Sequence, residues 1–356
     1  MWRKNLTVLV LSSGLALLAL EFGIRFLASA DYHHHRYWRY CQPFGLVPGA
    51  LSYDRRLGFF HNANIDVRFK NAEFDTRVRT NSLGFRDDED SLKNPEVLFL
   101  GDSFCFGWGV EDDETCESVF QERSGHRSLN MGVAGYHTLQ ERILYKDFCE
   151  ARDVRNATVV LLAFCDDPLG SATSFRTFPR LRKNGVNISF ASPAEETVYN
   201  EFLAALRSPW LKRISENSCV GDLLIETFYR PESRMQPFME DPSIENPKTS
   251  GYTVPPFEAF EYILRDMISY SNERDNRLIV ALVPRLEDLL NRPNEEYRAI
   301  ETILTRVGVP YLLLAEALHP DDYLPLDRHW NAGGHQGAAE AIDRFLKSPN
   351  SHSPRE

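Results

Sequence analysis

The 356-residue chain has no excess of positive charge, since 40 Lys and Arg against 51 Asp and Glu leave a formal net charge of −11. A face basic enough to hold nucleic acid is not expected, and neither is a nucleic-acid partner. The six cysteines (Cys41, Cys105, Cys116, Cys149, Cys165, Cys219) contain no CxxC or other metal-ligand spacing, so no metal site is expected. In an oxidising compartment some of them could pair, with a connectivity that sequence does not give. There is no low-complexity tract and no internal repeat. At 43% hydrophobic and 26% charged residues the composition is that of a folded globular protein, long enough to bury a large core.

Long apolar runs are equally scarce. The one present, LTVLVLSSGLALLAL from Leu6 to Leu20, follows the basic head Met1-Trp-Arg-Lys-Asn5. Charge returns at Glu21 and Arg25, spaced to pair on one helix face. With that pair included, a helix to Leu27 or Ala28 has the roughly 20 residues needed to cross a bilayer. The rival reading is a secretory signal, because Ala28-Ser29-Ala30 resembles a cleavage site. The charges between the run and that triplet favour an uncleaved anchor over residues 1–30; secretion after cleavage near Ala30 is the alternative. Both imply export, to periplasm or cell surface. Arg3 and Lys4 favour a cytoplasmic start, against Arg36 and Arg39 on the other flank.

Residues 31–95 read as a lead-in of short strands and loops, without long helical periodicity, packed on a main domain. Within it, His33-His34-His35 reads as solvated surface of a juxtamembrane linker. From Glu96, apolar β-type runs at Val97–Leu100, Ser128–Met131, Thr158–Phe164, Arg277–Val283 and Pro310–Leu314 alternate with amphipathic helices. Near-continuous apolar strands are those covered on both faces. The alternation predicts an α/β fold with three layers, α/β/α, around a mainly parallel five-stranded sheet spanning 96–348, plus the N-terminal transmembrane helix. Helices are expected at 256–272, 294–307 and 334–347, with capping boxes at Thr138-Leu-Gln-Glu141 and Ser192-Pro-Ala-Glu195. The stretch from about Pro168 to Pro255 reads as a largely helical insertion, and 349–356 as a disordered tail.

The first strand ends abruptly in VLFLGDSFCFGWGV, where four apolar residues give way to Gly101-Asp102-Ser103. In open α/β sheets the rim at the strands' carboxyl ends is where ligands bind. A serine hydroxyl there needs a base, a group to orient the base, and donors for the oxyanion. Base and orienter are available in Leu326-Asp327-Arg328-His329-Trp330-Asn331, in a loop after the last strand. Backbone donors are available in Asn130-Met-Gly-Val-Ala-Gly135, where glycine permits close approach. Taken singly, each piece is also an ordinary turn or surface loop.

Their order is more telling: a GDS serine, then NxGxxG, then a strand ending in Asp-Asp, then a late DxHWN. Together these resemble the SGNH hydrolase superfamily, also called GDSL esterases or lipases, whose fold is flavodoxin-like. TNSLGFR, GDSFCFGWGV and DRHWNAGGH look most like its bacterial membrane-anchored or exported members, and the likeness covers about residues 50–347. The resemblance implies that Ser103 is the nucleophile and, through its N–H, one oxyanion donor. It implies Gly135 as a second donor, His329 as general base and Asp327 as its orienter, with no cofactor and no metal.

Two departures stand out. The usual Asp lies three residues before His, where this chain has Leu326; Asp327 lies two before, as in polysaccharide O-acetyltransferases with a DxHW motif. The family's third oxyanion donor is an Asn, and the matching position is Asp166. An ionised carboxylate accepts hydrogen bonds and donates none. Asp166 could be protonated by burial, turned away, or the mark of a protein that binds without catalysing; the reading taken is activity through the two backbone donors. The leading function is hydrolysis of a small-molecule or glycan ester. O-acetyl transfer to a carbohydrate is the second reading, and non-catalytic carbohydrate binding the third. Phe104, Phe106, Trp108 and Trp330 are candidates for lining a pocket or for core packing, and the substrate-binding residues are unknown.

Overall fold

Strands that read as apolar throughout are buried throughout. The computed structural model describes residues 2–165, 180–181, 188–189, 209–228, 254–290 and 294–348. In chain order, α1 (Trp2–Leu27) and α2 (Ala30–Tyr40) are followed by two antiparallel hairpins. These are β1 (Leu51–Asp54) with β2 (Gly58–His61), and β3 (Asp66–Lys70) with β4 (Asp75–Arg79). Then come β5 (Val97–Gly101), α3 (Ser103–Phe106), α4 (Cys116–Ser124), β6 (Ser128–Asn130), α5 (Thr138–Arg152) and β7 (Thr158–Phe164).

A short pair, β8 (Arg180–Leu181) with β9 (Ile188–Ser189), precedes α6 (Pro209–Asn217) and α7 (Cys219–Phe228). The chain continues with α8 (Pro256–Glu273), β10 (Arg277–Val283), α9 (Leu286–Leu290), α10 (Glu295–Val307), β11 (Tyr311–Leu313) and α11 (Ala332–Lys347). The main sheet has the order β11-β10-β7-β5-β6, with every pairing parallel.

Alternation along each strand divides the core in two. Leu98, Leu100, Val159, Leu161 and Val280 face α5, α8 and α10. Val97, Phe99, Val160, Leu162 and Ile279 face α4 and α11. Burial on both faces favours the parallel sheet, and the outcome is the three-layer α/β/α architecture expected from the sequence. A third cluster, with Phe44, Phe69, Phe74 and Val78, packs the hairpins on Phe106 at the end of α3 and on Trp108 just beyond it.

Three local expectations need correction. The lead-in begins with an eleven-residue helix, α2, capped by the Ser29 side chain accepting from the N–H of Tyr32 (3.2 Å). The box at the start of α5 is shifted by one residue, with His137 and Gln140 as the reciprocal pair and Thr138 inside the helix. His34 is half-buried and donates from Nδ1 to the carbonyl of Leu326 at 2.6 Å, so the histidine run is only partly solvated. The box at Ser192–Glu195, Asp166 and the 349–356 tail lie outside the described residues.

Among the described residues all six cysteines are free and buried. Thr7–Leu27 is long and apolar enough to cross a membrane and has none of its length buried. Glu21 and Arg25 are paired at 2.8 Å, one turn apart as their spacing predicts.

Candidate active site

Ser103 owes its position to the way β5 ends. Gly101 has φ +156°, and a Cβ there would lie 2.7 Å from that of Cys105, so the strand can turn tightly into α3 only with glycine. The Asp102 carboxylate caps α3 by accepting from the N–H of Phe104 at 2.9 Å. This leaves Ser103 as the first helical residue, partly exposed at the carboxyl end of a central strand.

The partner loop arrives from 226 residues further on. Ser103 Oγ lies 2.7 Å from His329 Nε2, and His329 Nδ1 meets Asp327 Oδ1 in a close pair. The carboxylate only accepts, so the imidazole proton belongs on Nδ1 and Nε2 is left to accept from the serine. Arg328, between the two, adopts φ +68°. The turn there is closed by Leu324 N–H to His329 O (2.8 Å) and Arg328 N–H to Leu324 O (2.9 Å). Its guanidinium is anchored to Asp31 at 2.6 Å and to Glu287.

His329 is held between rings. Trp108 stacks on it with centroids 5.1 Å apart, Phe104 lies 4.9 Å away and Trp38 6.0 Å away. Phe106 and Trp330 are fully buried and belong to the core, although Trp330 also braces Phe104. Asp327 Oδ2 accepts from the Tyr37 hydroxyl at 2.6 Å and the Trp108 indole N–H at 3.0 Å. The Glu73 carboxylate holds the same loop, accepting from the backbone N–H groups of Leu326 (2.9 Å) and Asp327 (2.6 Å).

The electrostatics follow from that wrapping. Burial pushes Asp327 upward, but the charge and hydrogen bond of His329 and the two neutral donors outweigh it, and its carboxyl sits below the ordinary range. Burial, with the Asp327 charge beside it, pushes the Tyr37 hydroxyl well up, so it remains a donor. Burial also raises Glu73, against the pull of its two backbone bonds.

Gly135 is in the loop after β6, with φ +87° and only Phe59 Cζ, 3.6 Å from an added Cβ, near it. The loop is tied to the end of β5 by Met131 N–H to Phe99 O (2.8 Å) and Val133 N–H to Gly101 O (3.1 Å). At Gly132 an added Cβ would fall 2.3 Å from the backbone nitrogen of Phe106, so the loop lies directly against α3. An open cleft of about 550 Å³ runs past His329, lined by Trp38, Phe104, Phe164, Leu286 and Arg328. No group of three or more metal-ligating side chains is found among the described residues.

The structure thus brings Ser103 together with Asp327 and His329, a pair more than 220 residues further along the chain. It adds four that the motifs did not point to: His34, Tyr37, Trp38 and Glu73. A signal for three of them was present, because His34, Tyr37, Trp38 and Cys41 are spaced i, i+3, i+4 and i+7, the stripe of one helix face.

No family model matches the chain, and no curated protein does. Several solved structures resemble it remotely. The protein TesA is 10% identical, with a TM-score of 0.40 over 70% of this chain and 97% of its own. A GDSL-like lipase from Bacteroides thetaiotaomicron is 12% identical, with a TM-score of 0.35 over 72% and 89%. Axe2, an acetylxylan esterase from Geobacillus stearothermophilus, is 13% identical, with a TM-score of 0.36 over 72% and 95%. Similarity this remote carries nothing about substrate or reaction.

Proposed function

We propose that the chain is a serine ester hydrolase of the SGNH type, working through an acyl-enzyme. The observation that carries this reading is the unbroken series Ser103 Oγ, His329 Nε2, His329 Nδ1, Asp327 at the sheet's carboxyl edge. His329 takes the Ser103 proton as Oγ attacks the ester carbonyl carbon, and Asp327 stabilises the imidazolium that forms. The oxyanion faces the backbone N–H groups of Ser103 and Gly135. Collapse breaks the ester bond, and the departing alkoxide takes the proton from His329. Water, deprotonated by the same imidazole, then releases the acid and restores the serine.

The substrate class is a small-molecule or glycan ester met outside the cytoplasm, with α1 holding the chain in the membrane. The exposed apolar surface of Thr7–Leu27 supports the anchor. The Asp-x-His spacing supports a second reading, in which a carbohydrate hydroxyl takes the place of water and receives an acetyl group. An activated acetyl ester supplied with and without glycan acceptors separates the two, because release that ignores acceptor counts against transfer.

The test of the reading is labelling of the full chain by a serine-directed fluorophosphonate. Wild type is expected to label and Ser103→Ala to remain unlabelled. A folded wild-type protein that fails to label would leave carbohydrate binding without catalysis as the better account.

A further inference from the structure

The carboxylate of Asp327 is wholly buried, and its two oxygens have different duties. Oδ1 meets the imidazole, whereas Oδ2 receives two neutral donors from unrelated parts of the chain. One is the Tyr37 hydroxyl on α2, 290 residues before Asp327; the other is the Trp108 indole N–H, five residues beyond Ser103. A carboxylate turns readily about its last side-chain bond, and the contacts at Oδ1, the imidazole and a long 3.4 Å bond from the backbone N–H of His329, both come from one residue and do not by themselves fix its plane. Two donors converging on Oδ2 do fix it, and they leave Oδ1 aimed at His329. Both donors also stabilise negative charge in a site where water cannot.

The surroundings make α2 a firm support. Its His34 holds the Leu326 carbonyl at 2.6 Å, and Trp38 reaches toward His329. On the same helix, Arg36 donates to the carbonyl of Glu216 at 2.8 Å, while Lys212 donates to Cys41 O at 3.1 Å, so α6 braces α2. The helix that continues from the apolar N-terminal segment therefore reaches the candidate site itself.

We infer that Tyr37 and Trp108 are positioning residues, which lock the Asp327 carboxylate through Oδ2 so that Oδ1 orients His329, and that α2 is thereby part of the active site. The inference rests on the esterase reading for its effect on rate, but the positioning itself has a readout that does not need turnover.

The experiment uses the full chain in detergent with Tyr37→Phe and Trp108→Phe, each of which keeps a ring and removes the donor. Expected for each variant is a 10- to 100-fold slower fluorophosphonate labelling of Ser103. Turnover of p-nitrophenyl acetate is expected to lose kcat by about the same factor with KM nearly unchanged. Unfolding temperature should stay close to wild type. The low-field proton resonance of the His329 Nδ1–H is expected to move in both variants. Wild-type rates together with an unmoved resonance would overturn the inference. If the wild-type chain does not label, the esterase reading falls and the resonance alone decides the positioning. If Tyr37→Phe unfolds, Trp108→Phe carries the test on the second donor.

Discussion

Arg328 illustrates how much one backbone angle decides at this site. With φ +68° it occupies the left-handed region, sparsely used by residues other than glycine. The conformation persists because ion pairs to Asp31 and Glu287 and a closed turn hold it. It lets a carboxylate and an imidazole two residues apart meet, where the usual motif spaces them by three. Asp166 is the other residue at odds with the pattern. If two backbone donors serve the oxyanion, Asp166→Asn is expected to leave the pH–rate profile unchanged; a changed profile would put Asp166 at the oxyanion. Asp87 makes a prediction about stability. Burial pushes its carboxyl up to about 7, against the pull of the Asn130 and Asp88 N–H groups. A raised folded value gives stability that is complete below the unfolded value and lost as pH rises through the folded one. Asp87→Asn removes that dependence, so its unfolding temperature should gain on wild type between pH 5 and pH 8. A constant gap across that range would refute the shift.

The loop after β6 shows what an element contributes that no single residue does. It is stitched to β5 at Met131 and Val133, and Gly132 is pressed against the backbone of α3. Gly132→Ala would drive a methyl group into Phe106 N and the Cys105 carbonyl carbon, neither of which is a flexible side-chain end. Overpacking of this kind costs about 1–3 kcal/mol. We expect a lowered denaturant midpoint together with slower labelling of Ser103; an unchanged midpoint would mean the loop gives way easily. The strands and long helices were legible in sequence because burial on two faces or on one stripe leaves a repeating pattern. Boundaries moved by only a residue or so at β6, β11 and α5. One missed element, α2, is rich in His, Tyr and Arg, so its stripe is not apolar in the usual sense. Its partners lie in a loop some 290 residues away.

For the molecule as a whole, the N-terminal helix is joined to the rest by more than chain continuity. The Glu21 carboxylate accepts from the N–H groups of Cys219 and Val220, both at 2.9 Å, and from Ser218 Oγ at 3.0 Å, while Arg25 donates to the carbonyl of Asn217 at 3.0 Å. The last turns of α1 thus hold the junction of α6 and α7, and α6 holds α2. On the anchor reading, expression in a bacterial host should leave the full-length chain in the membrane pellet after alkaline carbonate extraction. A soluble product beginning near Ala30 would favour the cleaved signal instead.

By itself the sequence determined the layered α/β fold, the apolar N-terminal helix, and the identity of the serine, histidine and aspartate that meet. The fold and the helix follow from local patterning, burial period and turn residues; the three side chains were named by the resemblance that the short motifs carry together. Only tertiary structure decided that Tyr37, Trp38 and His34 reach the same loop, that Glu73 pins its backbone, and that Arg328 adopts the left-handed conformation. Contacts between segments hundreds of residues apart depend on how the layers pack. No local pattern in one chain encodes them.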